Sequence, residues 1–379
     1  MLIRCGEAIG LTPALGWNSW NCWGLSVSDE KVRASARAMT EKLADHGWAY
    51  INIDDGWEDR RNEKGEMLTN SKFPDLRGLA AYVHGLGLKI GIYSSPGTLT
   101  CGGFAGSYQH EQQDADSYSA WGIDYLKYDW CSYGQIAPAT PTLDEYKKPY
   151  QVMRDALAKN SRDIIFSLCQ YGMGDVWKWG AEVGGNSWRT TGDITDSWSS
   201  MSSIGFAQDQ SAPYCAPGHF NDPDMLVVGR VGWGPGLHRS RLTPDEQYTH
   251  ISLWSLLSAP LLIGCDMSQL DEFTLNLLTN DEVLAIDQDE RAGQAKKFAL
   301  QGQLQVWVKP LADGSSAVGV FNTGDQPLQS RISFASLGLG LQLKLRDCWR
   351  QQDLGTFRTD YGVSVPAHGV LLLRVKTAQ

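Results

Sequence analysis

The sequence predicts an α/β fold, a (β/α)8 TIM barrel followed by a small antiparallel β-sandwich domain. Three observations lead to this prediction: short apolar runs recur regularly, helical patterns lie between them, and the pattern changes near residue 290. A typical eightfold barrel needs roughly 250 residues, which this chain of 379 residues can supply. The eight predicted strands begin at Leu15, Tyr50, Lys89, Tyr125, Ile164, Ser187, Asp224 and Leu261.

Helical patterns fill the intervals between these strands. Residues 29–46 follow a cap signal at Ser28 and have apolar side chains three or four positions apart, at Val32, Ala36, Met39 and Leu43. Residues 76–86 repeat this pattern. Because short strands alternate with helices, we expect a parallel sheet, and eight such strands predict closure into a barrel.

The chain after residue 290 consists of short alternating runs without helical periodicity. Turn sequences such as Asp313 with Gly314 separate these runs, which is typical of antiparallel strands. The predicted strands are residues 303–308, 316–321, 342–345 and 370–375. We therefore expect residues 1–290 to form the catalytic barrel and residues 291–379 the β domain, with the boundary between residues 288 and 295.

Composition and charge exclude several partners. Lysine and arginine total 33 against 43 aspartates and glutamates, a net charge of −10 without a basic run, so we expect no nucleic acid partner. The sequence contains no run of about 18 consecutive apolar residues, so it predicts no membrane span. Residues 1–10 lack a signal-peptide pattern. We therefore expect a soluble chain, secreted or periplasmic only if a leader was removed. The sequence leaves the oligomeric state open.

Histidine and cysteine spacing predicts no metal site. The seven histidines include no HExxH motif, and the eight cysteines include no CxxC pair. We therefore expect neither a metal nor an organic cofactor. The 15 tryptophans could stack on sugar rings, although most tryptophans of a globular protein belong to its core.

Carboxylates follow several predicted strands at the point where each strand ends. Asp54 and Asp55 follow the second run, and Lys127 and Asp129 end the fourth. The carboxyl ends of the strands line the active site of such a barrel, so these groups are catalytic candidates. An aspartate at this place can also be the N-cap of the following helix.

Asp129 and Asp193 are the pair that we favour for a two-carboxylate mechanism, in which one attacks or activates water and the other donates a proton. Lys127 is two residues before Asp129 on the same strand face, so we expect it to keep Asp129 ionised. Asp193 follows a glycine in a loop, an exposed position suitable for a general acid beside a leaving group.

Six motifs resemble those of glycoside hydrolase family 27, the retaining α-galactosidases and α-N-acetylgalactosaminidases, over nearly the whole chain. They are residues 15–20 (LGWNSW), 53–57 (IDDGW), 91–93 (GIY), 125–131 (YLKYDWC), Trp188 and Arg189 with Asp193, and 221–225 (NDPDM). Members of this family consist of a barrel and an antiparallel β domain, in agreement with the pattern described above.

The resemblance implies roles for individual residues. It makes Asp129 the nucleophile and Asp193 the acid/base, and it makes Asp54 and Asp55 ligands of the 4-hydroxyl and 6-hydroxyl groups of galactose. Lys127 and Arg189 would bind the hydroxyl groups on the other side of the ring. Trp17, Tyr93 and Met225 would form the apolar walls of the site, and Asp224 would lie close by. Cys169 and Tyr171 belong to the loop near C2.

The resemblance also implies a disulfide between Cys101 and Cys131, which match two cysteines of the family. Gln170 is a departure, because the plant-like members have Glu at this position of the loop. Cys22 matches a second family cysteine, but Gly56 stands where its partner would be.

These observations predict an exo-acting retaining α-galactosidase that removes terminal α-linked galactose from oligosaccharides or glycoconjugates. Two alternatives use the same site: an α-N-acetylgalactosaminidase and a β-L-arabinopyranosidase. Tyr171 against C2 of the sugar would exclude an acetamido group, and the pair Asp54 and Asp55 leaves room for the hydroxymethyl group that arabinose lacks. A galactose-binding protein without catalysis is a third alternative, which the presence of both Asp129 and Asp193 disfavours.

Overall fold

Eight parallel strands form one sheet in the computed structural model, which describes residues 6–378 except the side chains of residues 299 and 300. The strands, numbered β1 to β8, are Leu15–Asn18, Tyr50–Asn52, Lys89–Ser94, Tyr125–Tyr128, Ile165–Leu168, Ser187–Arg189, Phe220–Asp222 and Leu261–Ile263. They pair in the order β8-β1-β2-β3-β4-β5-β6-β7. Leu226, just after β7, bridges in parallel to Ile263 of β8, and this bridge closes the barrel.

Helices surround the sheet and are numbered α1 to α9. They are Trp20–Trp23, Asp29–Lys42, Leu76–Gly85, Glu111–Trp121, Leu143–Leu157, Trp198–Gly205, Pro244–Leu256, Glu272–Leu278 and Asp281–Asp287. Short 3-10 turns are Gly24–Ser26, Ala44–His46, Tyr133–Gln135, Val176–Lys178, Gln208–Tyr214, Met267–Gln269 and Ala335–Leu337. Among the residues described, no helix is long and apolar enough to span a lipid bilayer.

Side-chain caps explain where several helices begin. Ser28 accepts a hydrogen bond from the Lys31 amide at the start of α2, as its cap signal predicted. Thr243 and Glu246 form a capping box at the start of α7, which also has Pro244 at its first position. The helix predicted over residues 29–46 ends at Lys42, and a 3-10 turn follows it.

The prediction for the seventh strand was wrong. That strand was expected to begin at Asp224, but β7 is Phe220–Asp222. Asp224 has a φ of 83°, a left-handed conformation that interrupts the extended chain. The chain therefore pairs with β6 before Asp224 and with β8 only after it, at Leu226.

The second domain has eight antiparallel strands, numbered β9 to β16. They are Lys296–Gln301, Leu304–Pro310, Ser316–Asn322, Leu328–Ser333, Gln342–Asp347, Gln352–Arg358, Asp360–Val365 and Val370–Thr377. Six form a sheet in the order β9-β10-β11-β16-β13-β14, and β12 pairs with β15. The predicted barrel and antiparallel β domain are thus confirmed. Sequence analysis missed β9, β12, β14 and β15; β14, for example, is almost entirely exposed and has no alternating apolar face.

A buried lysine joins the two domains. Lys309, on β10, donates hydrogen bonds to the Ser258 hydroxyl (2.7 Å) and to the carbonyl oxygens of Ser255 and Ile286 on the barrel. The nearby carboxyl group of Asp287 is also buried, and burial raises its pKa. Trp307 and Phe321 of the β domain belong to the same apolar core cluster as the barrel helices. The β domain is therefore packed on the barrel through part of its apolar side chains, and the rest form a separate core within the domain.

Replacing Lys309 with Met should strongly destabilise the protein. The substitution removes the hydrogen bonds that Lys309 donates to Ser255, Ser258 and Ile286, together with the positive charge beside the buried Asp287. We expect the free energy of unfolding to fall by about 3 kcal/mol. Lys344→Met is the matched control, because Lys344 lies exposed on β13 of the same sheet; we expect a change within about 0.5 kcal/mol. Denaturant unfolding of both variants measures this, and equal changes would contradict the role of Lys309.

Candidate active site

A cavity of about 100 Å³ lies at the carboxyl ends of the barrel strands. Strand register aligns these ends, because Gly16 pairs with Tyr50, and Tyr125 pairs with Gly91 and Ile165. The cavity is lined by Trp20, Asn21, Asp54, Asp55, Tyr93, Cys101, Lys127, Asp129, Tyr171, Arg189, Asp193, Asp224 and Met225. The structure therefore brings together both predicted catalytic carboxylates and most of the predicted sugar ligands.

Trp17 does not line this cavity, contrary to the sequence-based expectation. Its side chain is fully buried, and its indole nitrogen donates to the carbonyl oxygen of Cys265 at 2.9 Å. Trp20, three residues later in α1, lines the cavity instead. Both tryptophans belong to the motif at residues 15–20, so the motif was informative but did not show which ring faces the site. Asn21, which also lines the cavity, follows this motif and was missed.

Cys169 also lies outside this cavity. It is buried, with its sulfur 3.7 Å from a guanidinium nitrogen of Arg189. Gln170, which follows it, is buried too, and neither atom of its amide group has a hydrogen-bond partner. Tyr171 then turns towards the cavity through a left-handed backbone conformation with a φ of 64°.

Lys127 pairs with Asp54 rather than with Asp129. Its ammonium nitrogen is 2.8 Å from Oδ2 of Asp54, and the Asn18 amide donates to the same oxygen at 2.9 Å. These contacts connect strands β1, β2 and β4 across the inside of the barrel. The close partner of Lys127 is thus another carboxylate, but the charge of Lys127 still acts to lower the pKa of Asp129, in the direction that the sequence predicted.

Asp129 is instead held by hydroxyl and amide donors. Tyr171 donates to Oδ1 at 2.7 Å, the Trp130 amide donates to the same oxygen at 2.7 Å, and Tyr93 donates to Oδ2 at 3.0 Å. Burial raises the pKa of Asp129, and the charge of Lys127 together with these hydrogen bonds offsets only part of that rise.

Arg189 connects the second carboxylate to the site. Its guanidinium is 3.0 Å from Oδ2 of Asp224 and 3.0 Å from Oδ1 of Asp193. The Asp193 side chain is 64% exposed, whereas Asp129 is buried. Partial burial acts to raise the pKa of Asp193, but the charges of Arg189 and Lys127 and the hydrogen bond from Arg189 outweigh it, so this pKa is lowered.

The Cys101–Cys131 disulfide is present, as the resemblance implied. It lies beside residues that contact Asp55 and Asp129. The amide of Gly102 donates to Oδ2 of Asp55 at 2.6 Å, and the sulfur of Cys131 is 3.4 Å from the Tyr93 hydroxyl. A Cβ at position 102 would lie 3.0 Å from Oδ2 of Asp55 and 2.8 Å from the Leu25 side chain, so a larger residue there would require these side chains to shift.

Asp55 has one carboxylate oxygen without a partner. Oδ1 is buried and unpaired, while the carboxylate lines the cavity. Burial raises the pKa of Asp55 to about 6, with smaller contributions from the neighbouring charges of Asp54 and Asp129. An unpaired buried oxygen of this kind costs about 1 to 3 kcal/mol unless a ligand pairs with it.

One cluster in residues 6–378 has metal-binding side chains in close proximity, and it consists of Cys101, Cys131 and Asp129. The two cysteines form the disulfide, so neither offers the thiolate that a metal needs. The cluster does not fit a metal ion.

A larger cavity of about 560 Å³ lies at the opposite end of the barrel. It is lined by residues before β6 and β7, including Asn186 and His219, together with Arg154 and Glu182. Catalysis in barrels of this type takes place at the carboxyl ends of the strands, so the smaller cavity is the candidate active site.

Comparisons with known proteins match both domains. The family model described as alpha galactosidase A matches residues 12–289, and the model described as the alpha galactosidase C-terminal beta sandwich domain matches residues 301–375. An alpha-galactosidase of Coffea arabica is 42% identical over 369 residues, which cover 96% of this chain and 93% of that protein.

Solved structures agree with these sequence matches. The crystal structure of alpha-galactosidase I from Mortierella vinacea has a TM-score of 0.89 and 31% identity, and the match covers 97% of this chain and 98% of that one. A β-L-arabinopyranosidase from Geobacillus stearothermophilus has a TM-score of 0.87 at 26% identity, with 97% of each chain covered. On the matched residues and the shared fold, this chain belongs to glycoside hydrolase family 27, the family of the α-galactosidases.

Proposed function

We propose that this protein is a retaining exo-α-galactosidase in which Asp129 is the nucleophile and Asp193 is the general acid/base. One observation carries the assignment of roles: Asp129 is buried inside the cavity, and Asp193 is 64% exposed at its edge. A nucleophile must reach the anomeric carbon of an enclosed sugar, whereas a general acid must meet the leaving group on its way to solvent.

In the first step a carboxylate oxygen of Asp129 attacks C1 of the terminal galactose. Oδ1 accepts two hydrogen bonds and Oδ2 accepts one, so Oδ2 has the more available lone pair. The bond from C1 to the glycosidic oxygen breaks as the bond to Asp129 forms, and the carboxyl group of Asp193 gives its proton to that oxygen. The products of this step are a glycosyl-enzyme and the free leaving group.

In the second step Asp193 acts as a base. Its carboxylate removes a proton from a water molecule, whose oxygen attacks C1 and displaces Asp129. Two inversions at C1 return the α configuration, Asp129 is again a carboxylate, and Asp193 is again protonated. The exposure of Asp193 supports this exchange, because water reaches it directly.

Polar groups around the cavity support recognition of a single terminal sugar. Lys127, Arg189, Asp54 and Asp224 have charges that can pair with ring hydroxyl groups, and the unpaired Oδ1 of Asp55 needs a donor such as a hydroxyl group. A cavity of about 100 Å³ favours one sugar ring rather than an internal chain segment, which is the expected shape for an exo-acting enzyme. We therefore propose oligosaccharides or glycoconjugates with terminal α-galactose as substrates.

The position of Tyr171 supports galactose over its N-acetylated analogue. The Tyr171 hydroxyl is 2.7 Å from Asp129, the group that attacks C1, and a bulky substituent on the adjacent C2 would meet this ring. Asp55 favours galactose over arabinopyranose, because only galactose has a hydroxymethyl group to pair with it. These features make the α-N-acetylgalactosaminidase and β-L-arabinopyranosidase activities secondary.

The two carboxylates should respond differently to substitution. Asp129→Asn should abolish turnover of every galactoside, because an amide cannot form the glycosyl-enzyme. Asp193→Ala should still form this intermediate from an aryl galactoside with an acidic leaving group, and should release that group in a burst. Stopped-flow measurement of the released phenolate tests this. Asp155→Asn, an exposed carboxylate on α5, is the control and should retain full activity. If Asp193→Ala loses the same fraction of kcat/KM on galactosides with acidic and with poor leaving groups, Asp193 is not the general acid.

Tyr171→Phe should change one side of the pH profile. The hydrogen bond from Tyr171 stabilises the charged form of Asp129, so its loss should raise the pKa of Asp129 further. The pKa of Asp129 is raised and that of Asp193 is lowered, so the form with Asp129 charged and Asp193 protonated declines below the pKa of Asp193 and above the pKa of Asp129. The alkaline limb of kcat/KM should therefore move to higher pH with the pKa of Asp129, the plateau should fall, and the acidic limb should stay in place. Tyr82→Phe, on α3, is the control, and an alkaline limb that stays in place in Tyr171→Phe would contradict the role of this hydrogen bond.

A panel of 4-nitrophenyl glycosides should rank the sugars. We expect kcat/KM for the α-galactoside to exceed that for the α-N-acetylgalactosaminide and the β-L-arabinopyranoside by about 10- to 200-fold, the usual range for one lost contact. If the N-acetylgalactosaminide reacts as fast as the galactoside or faster, Tyr171 does not restrict the space at C2.

A further inference from the structure

The segment from Asp193 to Trp198 is fixed to the rest of the molecule at three points beyond Asp193 itself. The amide of Ile194 donates to Oδ2 of Asp224 at 2.9 Å. The carboxylate of Asp196 is fully buried and accepts from the Arg241 amide at 2.9 Å and from its guanidinium at 2.6 Å. These first two anchors lie within the barrel.

The third anchor comes from the β domain. The indole ring of Trp198, the first residue of α6, is stacked on the imidazole ring of His368, with ring centroids 4.0 Å apart and planes 12° from parallel. His368 lies in the turn between β15 and β16. A side chain of the second domain therefore contacts the helix that directly follows the loop of Asp193.

His368 is itself held firmly in place. Its ring nitrogens lie 2.7 Å from the Glu246 carboxylate on α7 and 2.9 Å from the Asp325 carboxylate. Its carbonyl oxygen accepts from the Thr249 hydroxyl at 2.7 Å. The backbone of His368 has a φ of 54°, a conformation that persists in a residue other than glycine only when its surroundings impose it. The imidazole is thus a fixed support for Trp198.

Asp193 depends on such support because little else fixes its side chain. It is 64% exposed, and its polar contact is the hydrogen bond from Arg189. Its place over the leaving group is therefore determined by the backbone on either side. The contacts of Ile194 and Asp196 fix the near part of this backbone. Ser197, the N-cap of α6, and Trp198 are four and five residues from Asp193 and fix its far end, so a shift of this helix start would strain the loop of Asp193.

We propose that His368 is a positioning residue for catalysis: by stacking on Trp198 it holds the start of α6, and with it the loop that carries the acid/base Asp193. The β domain thereby takes part in proton transfer without contacting the substrate. This inference rests on the proposed role of Asp193. A purely structural role of His368 would instead change stability and lower kcat/KM for all substrates by the same factor.

The test compares two substrates whose need for a proton differs. His368→Asn removes the ring and retains a residue that tolerates the left-handed backbone. We expect kcat/KM for methyl α-galactoside, a poor leaving group, to fall ~10-fold or more, while kcat/KM for 2,4-dinitrophenyl α-galactoside changes by less than ~2-fold. His368→Phe retains a flat ring, so it should keep most of the kcat/KM for methyl α-galactoside that His368→Asn loses. Trp198→Leu removes the other half of the stack and should reproduce the selective loss.

Arg346→Gln is the matched control. Arg346 is on β13 and forms a two-point ion pair with Glu282 on α9, another contact between the domains that is not connected to Asp193. This variant should lower the thermal midpoint without changing the ratio of the two kcat/KM values.

Equal losses on both substrates in His368→Asn would overturn the proposal. A selective loss in His368→Phe as large as in His368→Asn would also overturn it, because the stack would then be irrelevant. Asp193→Ala is measured in the same assay as a reference. If Asp193→Ala itself shows no selectivity for the leaving group, the proposed role of Asp193 fails, and that failure is distinct from the failure of the His368 inference.

Discussion

Two basic residues, Lys127 and Arg189, face six carboxyl groups at the catalytic end of the barrel: Asp54, Asp55, Asp129, Asp193, Asp222 and Asp224. Lys127 pairs with Asp54, and Arg189 bridges Asp193 and Asp224. The remaining three acids have no such cation at contact distance, and burial raises their pKa, to about 6 for Asp55 and Asp222. Among these acids Asp55 has a buried oxygen atom that a hydroxyl group of a sugar can pair with. The two carboxylates proposed for catalysis differ in burial, since Asp129 is buried and Asp193 is exposed.

The β domain contributes to this arrangement through the barrel helices that it covers. Lys309 caps carbonyl groups behind α7 and α9, and His368 packs against Trp198 at the start of α6. Both side chains are held by several hydrogen bonds, so the interface has a defined geometry rather than only apolar contact. The domain next to the barrel is therefore part of the framework that keeps the catalytic rim in place.

Sequence analysis located the rim carboxylates because polar residues there directly follow apolar strands, as Asp54 and Asp129 do. It could not identify the partner of Lys127, since Asp54 comes from β2, a strand that is not adjacent to β4 in the sheet. It chose Trp17 over Trp20 because one turn of helix after β1 decides which indole faces the cavity. It misplaced β7 because the left-handed Asp224 is not visible in a pattern of apolar residues.

Covalent labelling tests most directly whether Asp129 forms a bond with the sugar. A ring-fluorinated galactosyl fluoride that forms the glycosyl-enzyme faster than water removes it should release its anomeric fluoride and add one fluorogalactosyl group to the intact protein. Proteolysis and mass spectrometry should then locate this group on Asp129. A label on Asp54, Asp224 or any other carboxylate would contradict the account.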